Sequence, residues 1–262
     1  VVSGGDKTAR VWEAATGNEI ARMTHEWGVF SVAFSPDGQW VVSGGDNTVR
    51  VWEAATGNEV ARMTHKNSVS AMAYSPDGRW VVSGSNDKTA RVWQAATGSE
   101  FARMTHEGKV SAVAFSPDGR QVLSAGGNTA RMWQATTGVK VAQMTHQNSV
   151  SAVAFSSDGR QMLSVSGNTV WVWETATGIE VARMTHKKSV SAVAFSSDGQ
   201  WVVSAGCDEL PMAFPCTRSS ARVWEAVTGV EVARMTHEGY IKAVAFSPDG
   251  QWVVSASGDE DE

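Results

Sequence analysis

Cysteine is scarce in this chain: two in 262 residues cannot build a disulfide framework of the small secreted type, so a packed core must hold the fold. Basic residues are outnumbered as well. Lys and Arg total 22 against 27 Asp and Glu, a formal net charge of −5, which argues against a nucleic-acid binder working through a basic face. No apolar run approaches the roughly 18 residues of a membrane span, and no signal-peptide pattern opens the chain. A cytoplasmic chain that touches neither nucleic acid nor membrane is the expectation. Catalytic signatures are missing too. The sequence contains no Gly-x-Ser-x-Gly elbow and no Gly-rich phosphate loop ending in Lys-Ser/Thr.

What the chain holds instead is one unit, written repeatedly. Trp12, Trp52, Trp93, Trp133, Trp173 and Trp224 are spaced by 40, 41, 40, 40 and 51 residues. His25, His65, His106, His146, His186 and His237 keep the same five steps. Two independent markers in one register decide the fold before any local reading does. The copies are close: residues 13–25 and 53–65 differ only at Ile20 and Val60, as recent duplication or deliberate design would both produce. Val1-Val2-Ser3 begins where Val41-Val42-Ser43 sits inside a unit, so both ends fall within a repeat.

Each unit reads as four short β-strands. The first is Val110-Ser111-Ala112-Val113-Ala114-Phe115 and its equivalents, followed by a turn of the type Ser116-Pro117-Asp118-Gly119. Proline presets φ in that turn and glycine supplies φ > 0. The second strand resembles Trp40-Val41-Val42-Ser43 and the third Thr48-Val49-Arg50-Val51-Trp52. A Thr56-Gly57 turn then leads into Glu59-Val60-Ala61-Arg62-Met63. Helix fails as a reading because Gly, Pro and β-branched residues recur about every ten positions. Four-stranded units at a period of ~40–45 residues predict an all-β propeller of antiparallel blades, one domain over residues 1–262.

At this point the chain resembles the WD40-repeat family throughout, apart from one insertion. The Trp closing each third strand matches the family's Trp, although Glu or Gln follows it in place of Asp. The His before each first strand matches the family's Gly-His, although Thr replaces the Gly. The resemblance implies a hydrogen-bonded set of His, Ser or Thr, Asp and Trp in each blade. One such set is His25, Ser43, Asp46 and Trp52; another is His65, Ser83, Asp87 and Trp93. Gly127 and Gly167 stand where the Asp should be in the sets of Trp133 and Trp173, so those networks are expected to be incomplete. Six closed blades follow if the two ends share one. The first strand at 241–246 would then join the N-terminal third and fourth strands, and His237 would pair with Trp12 beside Asp6. Val1-Val2-Ser3 and Trp252-Val253-Val254-Ser255 would compete for one place. A monomer is the expected state, with strand exchange between two chains as the alternative.

Six even histidines invite a metal reading, but equivalent positions around a ring are too far apart to converge on one ion. No metal, cofactor or catalytic residue is expected. Asp37, Asp77, Asp118, Asp158, Asp198 and Asp249 sit in turns, where Asp bonds to local backbone. The informative positions are those that vary between copies. Residues after each His differ most: Glu26-Trp27-Gly28, Lys66-Asn67-Ser68, Glu107-Gly108-Lys109, Gln147-Asn148-Ser149, Lys187-Lys188-Ser189 and Glu238-Gly239-Tyr240. The loop from second to third strand varies too, and strand alternation places both loops on one rim. An insertion at 207–220 falls in that second loop and carries both Cys207 and Cys216, with Leu210, Met212 and Phe214 at an apolar tip. The cysteines could close the loop as a disulfide, but a reducing compartment favours free thiols. The expected function is a non-enzymatic scaffold that binds a peptide or protein through Trp27, Lys187, Lys188, Tyr240 and the tip. Its rivals are a structural ring without a specific ligand and, more remotely, an enzyme working at the channel mouth.

Overall fold

The computed structural model describes residues 1–208 and 218–258. Every regular element in it is a strand. An N-terminal sheet joins β1 (Val2–Gly5), β2 (Thr8–Trp12) and β3 (Glu19–Thr24). Five four-stranded sheets follow. The first holds β4 (Val29–Phe34), β5 (Trp40–Gly45), β6 (Thr48–Glu53) and β7 (Glu59–Thr64). The next holds β8 (Val69–Tyr74), β9 (Trp80–Ser85), β10 (Thr89–Gln94) and β11 (Glu100–Thr105). Then come β12 (Val110–Phe115), β13 (Gln121–Gly126), β14 (Thr129–Gln134) and β15 (Lys140–Thr145). The fourth is β16 (Val150–Phe155), β17 (Gln161–Ser166), β18 (Thr169–Glu174) and β19 (Glu180–Thr185). The fifth is β20 (Val190–Phe195), β21 (Trp201–Cys207), β22 (Arg218–Glu225) and β23 (Glu231–Glu238). A two-stranded sheet of β24 (Tyr240–Phe246) and β25 (Val253–Gly258) ends the described chain.

Within the sheets consecutive strands pair antiparallel as meanders, the topology short turns allow. The Ser-Pro-Asp-Gly turn works as the sequence implies. Gly38 has φ +71°, its N–H donates to the Ser35 carbonyl at 2.9 Å, and Asp37 accepts the Gln39 N–H at 3.1 Å. The core lies between successive sheets. In one such layer Val42, Val49, Val51, Ala61 and Met63 pack with Val69, Met72, Val81 and Trp93 of the next sheet. In the β4–β7 sheet the second and third strands are therefore buried almost throughout, while the fourth alternates buried and exposed.

The chain divides into two compact units, Val1–Gly127 with Arg131–Gln143, and Asn128–Ala130 with Met144–Glu262. Within the first, β1 packs on β4, β4 on β8 and β8 on β12. Within the second, β16 packs on β20 and β20 on β24. At the N-terminal end β1 pairs with β2, and at the C-terminal end β25 pairs with β24. The insertion does leave between second and third strands, but Cys207 pairs with Ser219 inside the sheet, so β21 and β22 reach into residues expected to be loop.

Candidate binding rim

The repeated residues form a repeated hydrogen-bond set. His65 Nε2 lies 2.7 Å from Ser83 Oγ, and Trp93 Nε1 donates to the same Oγ at 2.7 Å. The same triplet recurs as His25–Ser43–Trp52, His106–Ser124–Trp133, His146–Ser164–Trp173 and His186–Ser204–Trp224. A serine that accepts the indole N–H has its own proton for the histidine, so the indole N–H, the hydroxyl and Nε2 pair without water. Burial pushes His25, His106 and His186 down to about 4, with the nearby arginine of each sheet adding to the effect. Burial lowers His65 and His146 as well.

The aspartate behaves less uniformly. Asp87 completes its set: His65 Nδ1 lies 3.0 Å from its Oδ2, and Arg91 donates to it at 2.9 Å. Burial opposes ionisation of Asp87, yet the Thr89 hydroxyl, the Lys66 N–H and His65 together hold its carboxyl well below the usual range. Asp46 does not reach His25; it accepts from the N–H and hydroxyl of Thr48, both at 2.9 Å. Asp208, grouped by sequence with the insertion, bonds Arg222 as Asp87 bonds Arg91. Its signal was its position four residues after Ser204, as Asp87 stands four after Ser83. Gly127 and Gly167 bring no carboxylate, as expected. His237 Nε2 meets Ser255 Oγ at 2.7 Å, and Trp12 donates to Ser3 at 2.7 Å. Asp6 is exposed and contributes its carbonyl to the Val29 N–H.

The variable loops of the first unit build a cleft of about 490 Å3 lined by Trp27, Phe30, Asp46, Asn47, Lys66 and Asn67. Trp27 is 64% exposed, and Lys7 Nζ stands 5.7 Å from its ring centroid. Gly45 allows the 26–28 loop to cross the end of β5, since a Cβ there would meet the Gly28 carbonyl oxygen at 2.3 Å. Phe30, 70% exposed, escaped the sequence reading. The register slips between Val29 and Ser31, so Phe30 is the extra residue of a β-bulge, a device that re-aims a side chain. Its repeat equivalents are Ser70, Ser111, Ser151, Ser191 and Lys242, and that difference was the available signal.

The other expected rim residues lie in the second unit. Lys187 is exposed and Lys188 half-buried after His186; Tyr240 opens β24 half-buried opposite Gly258. Leu210, Met212, Phe214 and Cys216 lie outside the described residues. Cys207 is buried and disulfide-bonded, against the expectation of free thiols. Among the described residues no group of three or more His, Cys, Asp or Glu could hold a metal ion. Among the described residues no helix is long and apolar enough to cross a membrane.

Comparison with known families agrees with this architecture. A family model described as the IFT122 first beta-propeller matches residues 28–163. A second, described as WD domain, G-beta repeat, matches residues 179–210 and 229–261. No curated protein matches the chain. The first span takes in the β4–β7, β8–β11 and β12–β15 sheets, and the chain belongs to the WD40-repeat β-propeller family.

Proposed function

We propose that this chain is a non-enzymatic protein-interaction module and that the cleft beside Trp27 and Phe30 receives an apolar side chain of a peptide or protein partner. WD40 propellers generally mediate protein–protein interaction. The observation that carries the placement is the pair of large aromatic side chains left in solvent where the repeats diverge most. Covering one such ring in a partner is worth about 1.5–3 kcal/mol, which makes each a credible anchor. Lys7 and Lys66 flank the aromatics, so an acidic residue beside the partner's apolar one fits this edge of the cleft.

The test is capture of peptides from a displayed library by the wild type and by a Trp27→Ala, Phe30→Ser double variant. Phe30→Ser restores the repeat's own residue at an exposed bulge, so the fold is expected to keep its stability within about 0.5 kcal/mol. Affinity for the selected peptides is expected to fall at least about tenfold. Equal binding by the folded double variant would remove the cleft from consideration.

A further inference from the structure

The β16–β19 sheet differs from the β8–β11 sheet at two positions that bear on the surroundings of His146. In the β8–β11 sheet one carboxylate gathers five donors: Asp87 takes His65 Nδ1 at 3.0 Å, the Lys66 N–H at 3.0 Å, the Thr89 N–H and hydroxyl at 2.9 and 2.6 Å, and Arg91 at 2.9 Å. The corresponding residues here are Gly167 and Trp171. Neither supplies the carboxylate or the guanidinium. The result is a cavity of about 270 Å3 whose lining includes His146, Asn148, Thr169, Trp171, Glu180 and Arg183.

His146 is 6% exposed, and its hydrogen bonds determine which nitrogen carries the proton. Ser164 Oγ accepts the Trp173 indole N–H at 2.8 Å and lies 2.8 Å from His146 Nε2. Ser164 has one hydroxyl proton, and donating it to Nε2 puts the ring proton on Nδ1. That Nδ1 has no hydrogen-bond partner; the Asn128 and Met144 carbonyls approach the ring without completing a bond to it. A buried donor of this kind calls for an acceptor. Trp171 closes one side of the space edge-on, its ring centroid 4.7 Å from that of His146. The Asn148 amide nitrogen would be 3.1 Å from a Cβ on Gly167, so a second donor stands beside the missing side chain.

In the other sheet without the aspartate His106 Nδ1 also lacks a partner, but its surroundings are built differently. There Gly108 packs directly on Gly127, where a Cβ on Gly108 would stand 2.7 Å from the Gly127 Cα. Arg131 also remains, donating to the Thr105 carbonyl at 2.9 Å and to Glu107 at 3.2 Å. At the His146 site the one lining carboxylate, Glu180, is already committed to Arg183 at 3.1 and 3.0 Å. That ion pair removes most of the repulsion an entering anion would meet.

We propose that the His146 cavity is a carboxylate-binding site, in which an external carboxylate takes the place that Asp87 occupies in the sister sheet and accepts the His146 Nδ1–H. The carboxylate can come from a small free anion or from an acidic side chain of a peptide. The test titrates the intact chain with sodium acetate against sodium chloride at constant ionic strength. A parallel arm uses acetyl-Gly-Glu-Gly-amide, whose one carboxylate is a side chain. The readouts are the His146 ring nitrogens by NMR and the thermal unfolding midpoint. A saturable His146 response is expected from acetate if free anions are the source and from the peptide if side chains are. The midpoint is expected to rise by about 3 °C at tenfold excess over Kd. No saturable response of wild-type His146 to either probe overturns the proposal, and this reading needs no variant to fold.

Discussion

Histidine carries the acid sensitivity of this molecule. His25, His106 and His186 are buried against a serine, and burial lowers them from the ordinary 6.5 to about 4. In the unfolded chain they protonate near 6.5, while in the folded chain they stay neutral until about 4. The unfolded state therefore binds more protons across that interval, and stability falls as pH falls through it. Each such histidine removes at most about 1.4 kcal/mol per pH unit. Urea midpoints measured between pH 7.5 and 4.5 are expected to decline steadily below about 6.5, well before the turn aspartates are protonated. A midpoint constant down to pH 4.5 would contradict the buried neutral histidines. The identity of these histidines was legible because each repeats in step with a tryptophan. The orientation of the carboxylates was not. Ser83 to Thr89 spans one residue more than Ser43 to Thr48, and that extra residue sets Asp87 within reach of His65 while Asp46 caps Thr48.

Strands and their loops show what the missing carboxylate changes. The Lys66 and Thr89 amides both donate to Asp87, which ties the loop before β8 to the loop before β10. Gln147 and Thr169 are the corresponding amides in the β16–β19 sheet, where residue 167 is glycine. The His146–Ser164–Trp173 triplet is intact there, so the sheet itself is complete and the loss is confined to its loops. Amide exchange at Gln147 and Thr169 is expected to be about tenfold faster than at Lys66 and Thr89. Equal protection would mean that the carboxylate adds nothing to the loops. The same scale explains why Phe30 was overlooked. Counting alternation along β4 treats it as one more strand residue, whereas the bulge between Val29 and Ser31 takes it out of register.

Across the molecule, one position in the repeat meets very different surroundings. Val42, Val82, Leu123, Leu163 and Val203 occupy the same place in their second strands and are all 0% exposed. Val254 occupies that place in β25 and is 64% exposed, beside Trp252 at 72%. The difference is tertiary: β5 has β4 and β6 on its two edges, while β25 pairs with β24 alone among the described strands. Val42→Ala is expected to cost about 2 kcal/mol, and Val254→Ala to stay within about 0.5 kcal/mol. Denaturant unfolding of the two variants checks this contrast, and equal costs would show that β25 is covered in solution.

The sequence by itself determined the strands, the turns, the four-stranded unit and the serine that each His and Trp share. Those follow from local chemistry, repeated often enough that a single copy could not mislead. Only the tertiary structure decided which carboxylates reach their histidines and which aromatic side chains stand in solvent. Such outcomes depend on loop length, on a one-residue slip in register and on which strand lies alongside. None of these is a property of the repeat taken alone.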